Sequence, residues 1–199
     1  MITRKEMTRM LLKEGLLSWL ANNSFESVTV TSLCKASGIT RSTFYLHYSN
    51  IMEIVDDLVD DAIAYSKPGM VDNNNLQTIA NTLSAASNSV SLREAYDSIF
   101  DRLPLCQRII RHKKYLPLFL DEQISEYVLQ RIIQSEKDRQ GLVMAEALGV
   151  SFDVGVSVFV FLVHGLYAIN KEYKWTQSDE WLEAQKVIFE LVYRGLQSK

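Results

Sequence analysis

Residues 29–48, TVTSLCKASGITRSTFYLHY, read as two short helices joined by a tight turn. Thr29 is placed to cap the first, because its side-chain oxygen can accept a bond from an unpaired N–H of the first turn. Val30, Leu33 and Cys34 then fall at i, i+3 and i+4, which makes one buried face. Ser37-Gly38 ends that helix, since glycine takes the positive φ of a tight turn without a Cβ clash. Ile39 returns to the core and Thr40 caps the second helix. Arg41, Ser42, Thr43 and Tyr45 occupy its first turns, with Phe44 facing inward between them. A unit of this shape can lay its second helix in the major groove of DNA, where polar, cationic and phenolic groups meet base edges and phosphates. The same shape also occurs as a solvated surface helix of an ordinary bundle.

The surrounding residues narrow the choice. Thr8-Arg9-x-x-Leu12, then Phe25-Glu26-x-Val28-Thr29-Val30, then Gly38-Ile39-Thr40-Arg41-Ser42-Thr43-Phe44-Tyr45-x-His47-Tyr48 follow one another in a fixed order and spacing. Over roughly the first sixty residues this pattern resembles the N-terminal domain of TetR-family regulators. The remainder is similar to that family only in length and helical character. The resemblance implies an all-α chain: an N-terminal three-helix DNA-binding domain with a helix-turn-helix, then a helical ligand-binding and dimerisation domain. It assigns Thr40, Arg41, Ser42 and Tyr45 to base or phosphate contact, with Thr43 beside them. Arg41 is the expected base reader, since a guanidinium can bridge guanine O6 and N7, worth about 1–3 kcal/mol of discrimination. Tyr45 and His47 resemble phosphate contacts, although His47 also fits a hydrogen-bonded core histidine. Thr29 and Thr31, at the start of the preceding helix, offer further bonds to phosphate.

Two features depart from the family pattern. A lysine usually follows the His-aromatic pair, but here the stretch is Ser49-Asn50-Ile51-Met52, without a positive charge. The next helix is acidic, with Glu53, Asp56, Asp57, Asp60 and Asp61. Residues 1–48 nevertheless carry Arg4, Lys5, Arg9, Lys13, Lys35 and Arg41 against Glu6, Glu14 and Glu26, although the chain as a whole is at −3. Binding to DNA with a modest salt dependence is the expectation.

The 199 residues are 47% hydrophobic and 23% charged, ordinary for a soluble globular protein long enough to bury a sizeable core. Eight glycines and three prolines leave little punctuation, which favours long helices. No strand-like alternation persists. Cys34 and Cys106 each sit in an apolar helical pattern and read as buried thiols of a reducing compartment. MITRKEMTRMLLKEG at the N-terminus has no apolar core of secretory type, and the expected location is cytoplasmic. Residues 154–169 are nearly all apolar, yet short of the ~20 needed to span a membrane. They read as a helix buried on most of its circumference, with no membrane partner.

The expected domains are residues 1–49 for the helix-turn-helix, 50–66 for a bridging helix, and 67–199 for ligand binding and dimerisation. Thr3 and Glu6 suit a capping box on a first helix near residues 3–22, whose stripe runs through Leu12, Gly15, Leu16, Trp19 and Leu20. Ser91 is the expected cap of a helix to about residue 101, Pro104 opens a short one to about residue 112, and a long one runs from 117 or 121 to about 138. Two apolar helices follow, near residues 151–173 and 179–197, the second capped by Ser178. They carry more apolar surface than one chain of this size can cover. A twofold homodimer through a four-helix bundle is expected, with Phe161, Trp181, Gln185, Ile188, Phe189 and Val192 at the interface.

Tyr96, Phe100, Tyr115, Phe119, Phe159 and His164 are candidate effector-pocket residues, because aromatic and soft groups line small-molecule sites. Arg108, Arg111, His112, Lys113 and Lys114 read as a solvated basic surface. The expected partners are double-stranded operator DNA, a second copy of the chain and a small-molecule effector, with no metal or cofactor. An enzyme is not expected: there is no HExxH, Gly-rich phosphate loop or GxSxG. The competing function is a protein-partner module of the same fold with weak or no sequence-specific DNA binding.

Overall fold

Helix α1 (Arg4–Leu20) starts at the reciprocal cap its sequence announces. Thr3 Oγ1 accepts from the Glu6 N–H at 3.2 Å, and the Glu6 carboxylate accepts from the Thr3 N–H at 2.7 Å. Thr8, Leu12, Leu16, Leu17 and Leu20 make its buried stripe. After a single 3-10 turn (Phe25–Ser27) come α2 (Val30–Ser37), α3 (Arg41–Tyr45) and α4 (Met52–Ser66). This computed structural model describes residues 3–66, 75–103, 107–108 and 113–197. Among the described residues there are helices and turns but no strand, so the fold is all-α.

The chain divides into two compact units, Met1–Tyr65 with Ile109–Ile132 and Ser66–Arg108 with Ile133–Lys199. The first unit holds α1–α4, the short α7 (Leu116–Leu120) and the opening turns of α8 (Ser125–Leu148). In it α1 packs on α2 and α7, and α2 packs on α3. Leu12, Leu16, Leu33, Phe44, Ile54, Leu58, Leu118, Phe119 and Leu129 are its largest fully buried apolar side chains. Pro117 lies in the first turn of α7, where a missing N–H costs nothing. Asp121 then turns the chain: its buried carboxylate accepts from the N–H groups of Phe25 (2.6 Å), Gln123 (2.9 Å) and Ile124 (3.2 Å). The single long helix expected from 117 or 121 to 138 is therefore two helices, because this cap breaks it and the second part continues to Leu148.

The second unit contains α5 (Asn75–Ser84), α6 (Ser89–Ser98), the rest of α8, α9 (Phe152–Glu172) and α10 (Asp179–Gln197). Helix α10 packs on α5 and α6 around Ile79, Leu83, Leu92, Tyr96, Ile99, Leu103, Leu166, Trp181, Leu182 and Phe189. The α6 cap is Asn88 rather than Ser91: Asn88 Oδ1 accepts from the Ser91 N–H at 2.9 Å, and Ser91 Oγ returns the bond to the Asn88 N–H at 3.1 Å. That helix ends at Ser98, short of residue 101, where a 3-10 turn (Phe100–Arg102) takes over. Ser178 does cap α10, accepting from the Trp181 N–H at 3.2 Å.

Helices α8 and α9 meet backbone to backbone at Gly141, Ala145 and Gly155. A Cβ on Gly155 would lie 2.2 Å from the Gly141 carbonyl oxygen and 2.7 Å from the Ala145 nitrogen. Elsewhere α9 departs from its expectation. It is 21 residues long, but only 28% of its most apolar stretch is buried within the chain. Its outward side carries Val154 and Phe161, which are 47% and 74% exposed. The expected short helix after Pro104, together with Cys106, Arg111 and His112, lies outside the described residues.

Candidate nucleic-acid interface

The turn between α2 and α3 is built by local chemistry. Thr29 Oγ1 accepts from the Ser32 N–H at 3.0 Å while Ser32 Oγ accepts from the Thr29 N–H at 2.9 Å, so both ends of the α2 cap are closed. Gly38 terminates the helix at φ 66°, ψ 25°, a left-handed conformation that a Cβ would strain. The Ile39 N–H reaches back to the Cys34 carbonyl at 2.9 Å, which sets the angle at which the chain leaves. Thr40 starts α3, its Oγ1 accepting from the Thr43 N–H at 3.2 Å. Phe44 is completely buried and packs edge-on to Tyr45, with ring centroids 5.2 Å apart. That one ring ties a helix of only five residues to the core.

Every residue nominated for nucleic-acid contact in this segment is at least partly solvent-facing. Thr29, Thr31, Thr40, Arg41, Ser42 and Tyr45 are exposed, and Thr43 and His47 are half-buried. The Thr40 hydroxyl lies 3.0 Å from Ser42 Oγ and 2.8 Å from Thr43 Oγ1, so three hydroxyls cluster at the N-terminus of α3. Among the described residues, His47 Nδ1 is buried without a hydrogen-bond partner.

Helix α4 carries the acidic run Glu53, Asp56, Asp57, Asp60 and Asp61. Its carboxylates are engaged from two sides by the same unit. Asp57 takes hydrogen bonds from Arg9 Nε (2.9 Å) and from the Tyr48 hydroxyl (2.6 Å), and Arg9 Nη2 pairs with it as well. Lys13 pairs with Asp61. From α8, the Tyr127 hydroxyl donates to Asp56 at 2.5 Å, and Arg131 pairs with Asp60 at 2.8 Å and Asp56 at 3.4 Å. Glu53 accepts from the Ser49 N–H at 2.8 Å. Arg9 and Lys13 are thus consumed within the fold, while Arg4, Lys5, Lys35 and Arg41 remain exposed. The Arg9 guanidinium also sits 5.3 Å from the Tyr48 ring centroid, a cation–π contact on the residue that ends the Phe-Tyr-x-His-Tyr run.

The basic segment after residue 107 is not one solvated surface. Arg108 is buried and donates from Nε to the Leu103 carbonyl at 3.0 Å, whereas Lys114 pairs with Glu14 at 2.5 Å. Lys114 and Glu14 line a cleft of about 500 Å³ in the first unit with Glu6, Met10, Lys13, Leu58 and Asp61. None of the candidate effector residues lines it. Tyr115 and Phe119 are buried in the first unit; Tyr96 and Phe159 are buried, and Phe100 and His164 half-buried, in the second.

The second unit holds a chain of neutral polar groups that sequence reading missed. Trp181 Nε1 donates to Asn170 Oδ1 at 2.8 Å, and its ring meets that of Tyr96 edge-on at 5.1 Å. The Tyr96 hydroxyl approaches Gln107 Oε1, and Gln107 Nε2 approaches Gln185 Oε1, each at 3.5 Å. Among the described residues, Asn170 Nδ2 and Gln185 Nε2 are buried donors without an acceptor.

This geometry corrects the interface list. Trp181, Gln185 and Phe189 point into the chain's own core, at 2%, 0% and 3% exposure, because that side of α10 faces α5 and α6. Ile188 and Val192 are half-buried. The outward side of α10 instead carries Val187 and Leu191, and on α9 Phe161 is 74% exposed. Compared with known proteins, the chain matches no family model and no curated protein.

Proposed function

We propose that the protein is a dimeric, sequence-specific DNA-binding regulator of the TetR type, a cytoplasmic repressor released by a small-molecule effector. One observation carries the reading. Behind the Gly38 turn, α3 buries Phe44 and turns Arg41, Ser42 and Tyr45 outward, a guanidinium and two hydroxyls exposed to solvent. That is the donor set base edges and phosphates call for. The N-terminal resemblance supports the same assignment, with Thr29 and Thr31 at the backbone and His47 at a phosphate.

A second copy of the chain is the proposed cover for Val154 and Phe161 of α9 and Val187 and Leu191 of α10. Joining two copies there gives a twofold bundle and two α3 helices that can address successive turns of the groove. The effector is assigned to the second unit, where Asn170 Nδ2 and Gln185 Nε2 are buried donors that an acceptor-bearing ligand would satisfy. A switch from 1:99 to 99:1 between bound and released states requires about 5.5 kcal/mol of differential binding.

The competing reading, a partner-binding module, drew on the acidic run of α4. With those carboxylates engaged by Arg9, Lys13, Tyr127 and Arg131, only the missing lysine after Tyr48 still favours it. The deciding experiment is selection of bound genomic fragments at ~0.15 M salt, beside the Arg41→Ala/Tyr45→Ala double variant. A palindromic motif enriched by the wild type and lost in the variant supports the regulator. Identical, unenriched pools from both proteins support the partner module.

A further inference from the structure

We infer that Leu46 reads the 5-methyl group of a thymine in the major groove, a specificity contact that rests on the DNA-binding reading above. The side chains of α3 and its C-cap sort into two sides. Phe44 points inward, and Thr43 and His47 are half-buried. Arg41, Ser42, Tyr45 and Leu46 are exposed. Leu46 keeps helical dihedrals (φ −75°, ψ −17°), so Arg41–Tyr45 and Ser42–Leu46 are two i, i+4 pairs on one outward face. The backbone there is held: the Leu46 N–H donates to the Thr43 carbonyl at 3.2 Å, and those of His47 and Tyr48 both donate to the Phe44 carbonyl, at 2.9 and 3.0 Å.

Leu46 is 80% exposed, more than any other large hydrophobic side chain among the described residues. Isolated exposed leucines are common on protein surfaces and by themselves signify nothing. This one stands between Tyr45 and His47, on the face that carries the proposed base and phosphate contacts. Its neighbours there can form hydrogen bonds; an isobutyl group cannot. Against a phosphate it would only displace water. The major-groove edges of the bases offer donors, acceptors and a single apolar group, the thymine methyl. Arg41 and Leu46 would then read different bases, one by hydrogen bonds to guanine and the other by apolar contact.

The test uses the full-length protein and a duplex carrying the motif recovered by fragment selection, with each thymine replaced in turn by deoxyuridine. That change deletes one methyl and leaves base pairing intact. Wild type is expected to lose about fourfold in affinity per methyl deleted at one thymine of each half-site, the equivalent of one buried methyl group. Leu46→Ala should show no loss at that thymine and keep its loss at others, while Leu46→Met should retain the sensitivity. Sequence-specific binding with no thymine whose methyl matters through Leu46 overturns this inference and leaves the regulator reading standing. Absence of any sequence-specific binding by the wild type overturns both. Equal melting temperatures for the three proteins show that a difference in binding is not a difference in folding.

Discussion

Arg9 of α1 clasps Asp57 of α4 through two guanidinium donors, and the Tyr48 hydroxyl completes the site from the residue after His47. The first helix is thereby joined, at one carboxylate, to the end of the α3 segment and to α4. The end of the α3 segment is held to the first and fourth helices by charge-assisted hydrogen bonds rather than by apolar packing alone.

This site makes stability depend on pH in two directions. Burial pushes the Asp57 carboxyl up, but bonds from Arg9 and Tyr48 and the charges of Arg9 and Lys13 outweigh it and hold the group below its ordinary value. Its contribution is present above about pH 4 and is lost as pH falls through the folded value. Burial, then the bond to Asp57, pushes the Tyr48 phenol up. That contribution is present below about pH 10 and is lost as pH rises through the folded value. Asp57→Asn should cost about 1–3 kcal/mol at neutral pH and flatten the acid limb of a urea-melt profile, and Tyr48→Phe should flatten the alkaline limb.

Arg41→Ala should weaken operator binding about ten- to hundredfold and relax the preference at one base position, with melting unchanged because the side chain is exposed. Arg9→Ala should do the opposite. Its guanidinium belongs to Asp57, so melting falls while the slope of log affinity against log salt stays as in the wild type. Fluorescence anisotropy across a salt series beside thermal melts separates the two.

Gly155→Ala should destabilise the second unit by about 3 kcal/mol, at the upper end of overpacking costs. The added methyl meets the Gly141 carbonyl and the Ala145 backbone, which cannot rotate away as a side chain would. Thermal unfolding of the purified variant measures it. A melting temperature equal to that of the wild type would mean that α8 and α9 do not cross this closely.

Phe161→Glu should convert the proposed dimer to a monomer by placing charges on the apolar face of α9, with helical content preserved, since the side chain is mostly exposed in the single chain. Sedimentation velocity at micromolar concentration shows the outcome directly. A variant that sediments as the wild type does would remove α9 from the interface.

What was legible in the sequence was local. The Thr3–Glu6 box, the Thr29 and Thr40 caps and the Gly38 turn all depend on residues within four positions, and each formed where the residue types placed it. At α6 the expected cap, Ser91, became the return partner of Asn88, which caps the helix three residues earlier. Long-range pairing was not legible. The sequence shows the α4 carboxylates as an acidic run, but not the partners that α1 and α8 supply from 48 to 71 positions away. The orientation of α10 failed for a related reason. Apolar residues occupy two sides of that helix, and periodicity alone does not say which side meets α5 and α6. Leu46 was missed because its signal is the lack of anything to pack on, which only a folded chain displays.

The outward residues of α9 and α10 bear on how much protein a cell must hold. In the proposed dimer, Val154, Phe161, Val187 and Leu191 leave water only when two chains meet, so folding and assembly draw on one shared equilibrium. Such a protein has a melting temperature that rises with its own concentration. Dilution would remove DNA-binding capacity twice, once by separating the paired α3 helices and once by loosening the units that carry them. The number of molecules per cell thereby becomes an input to the switch, alongside the effector.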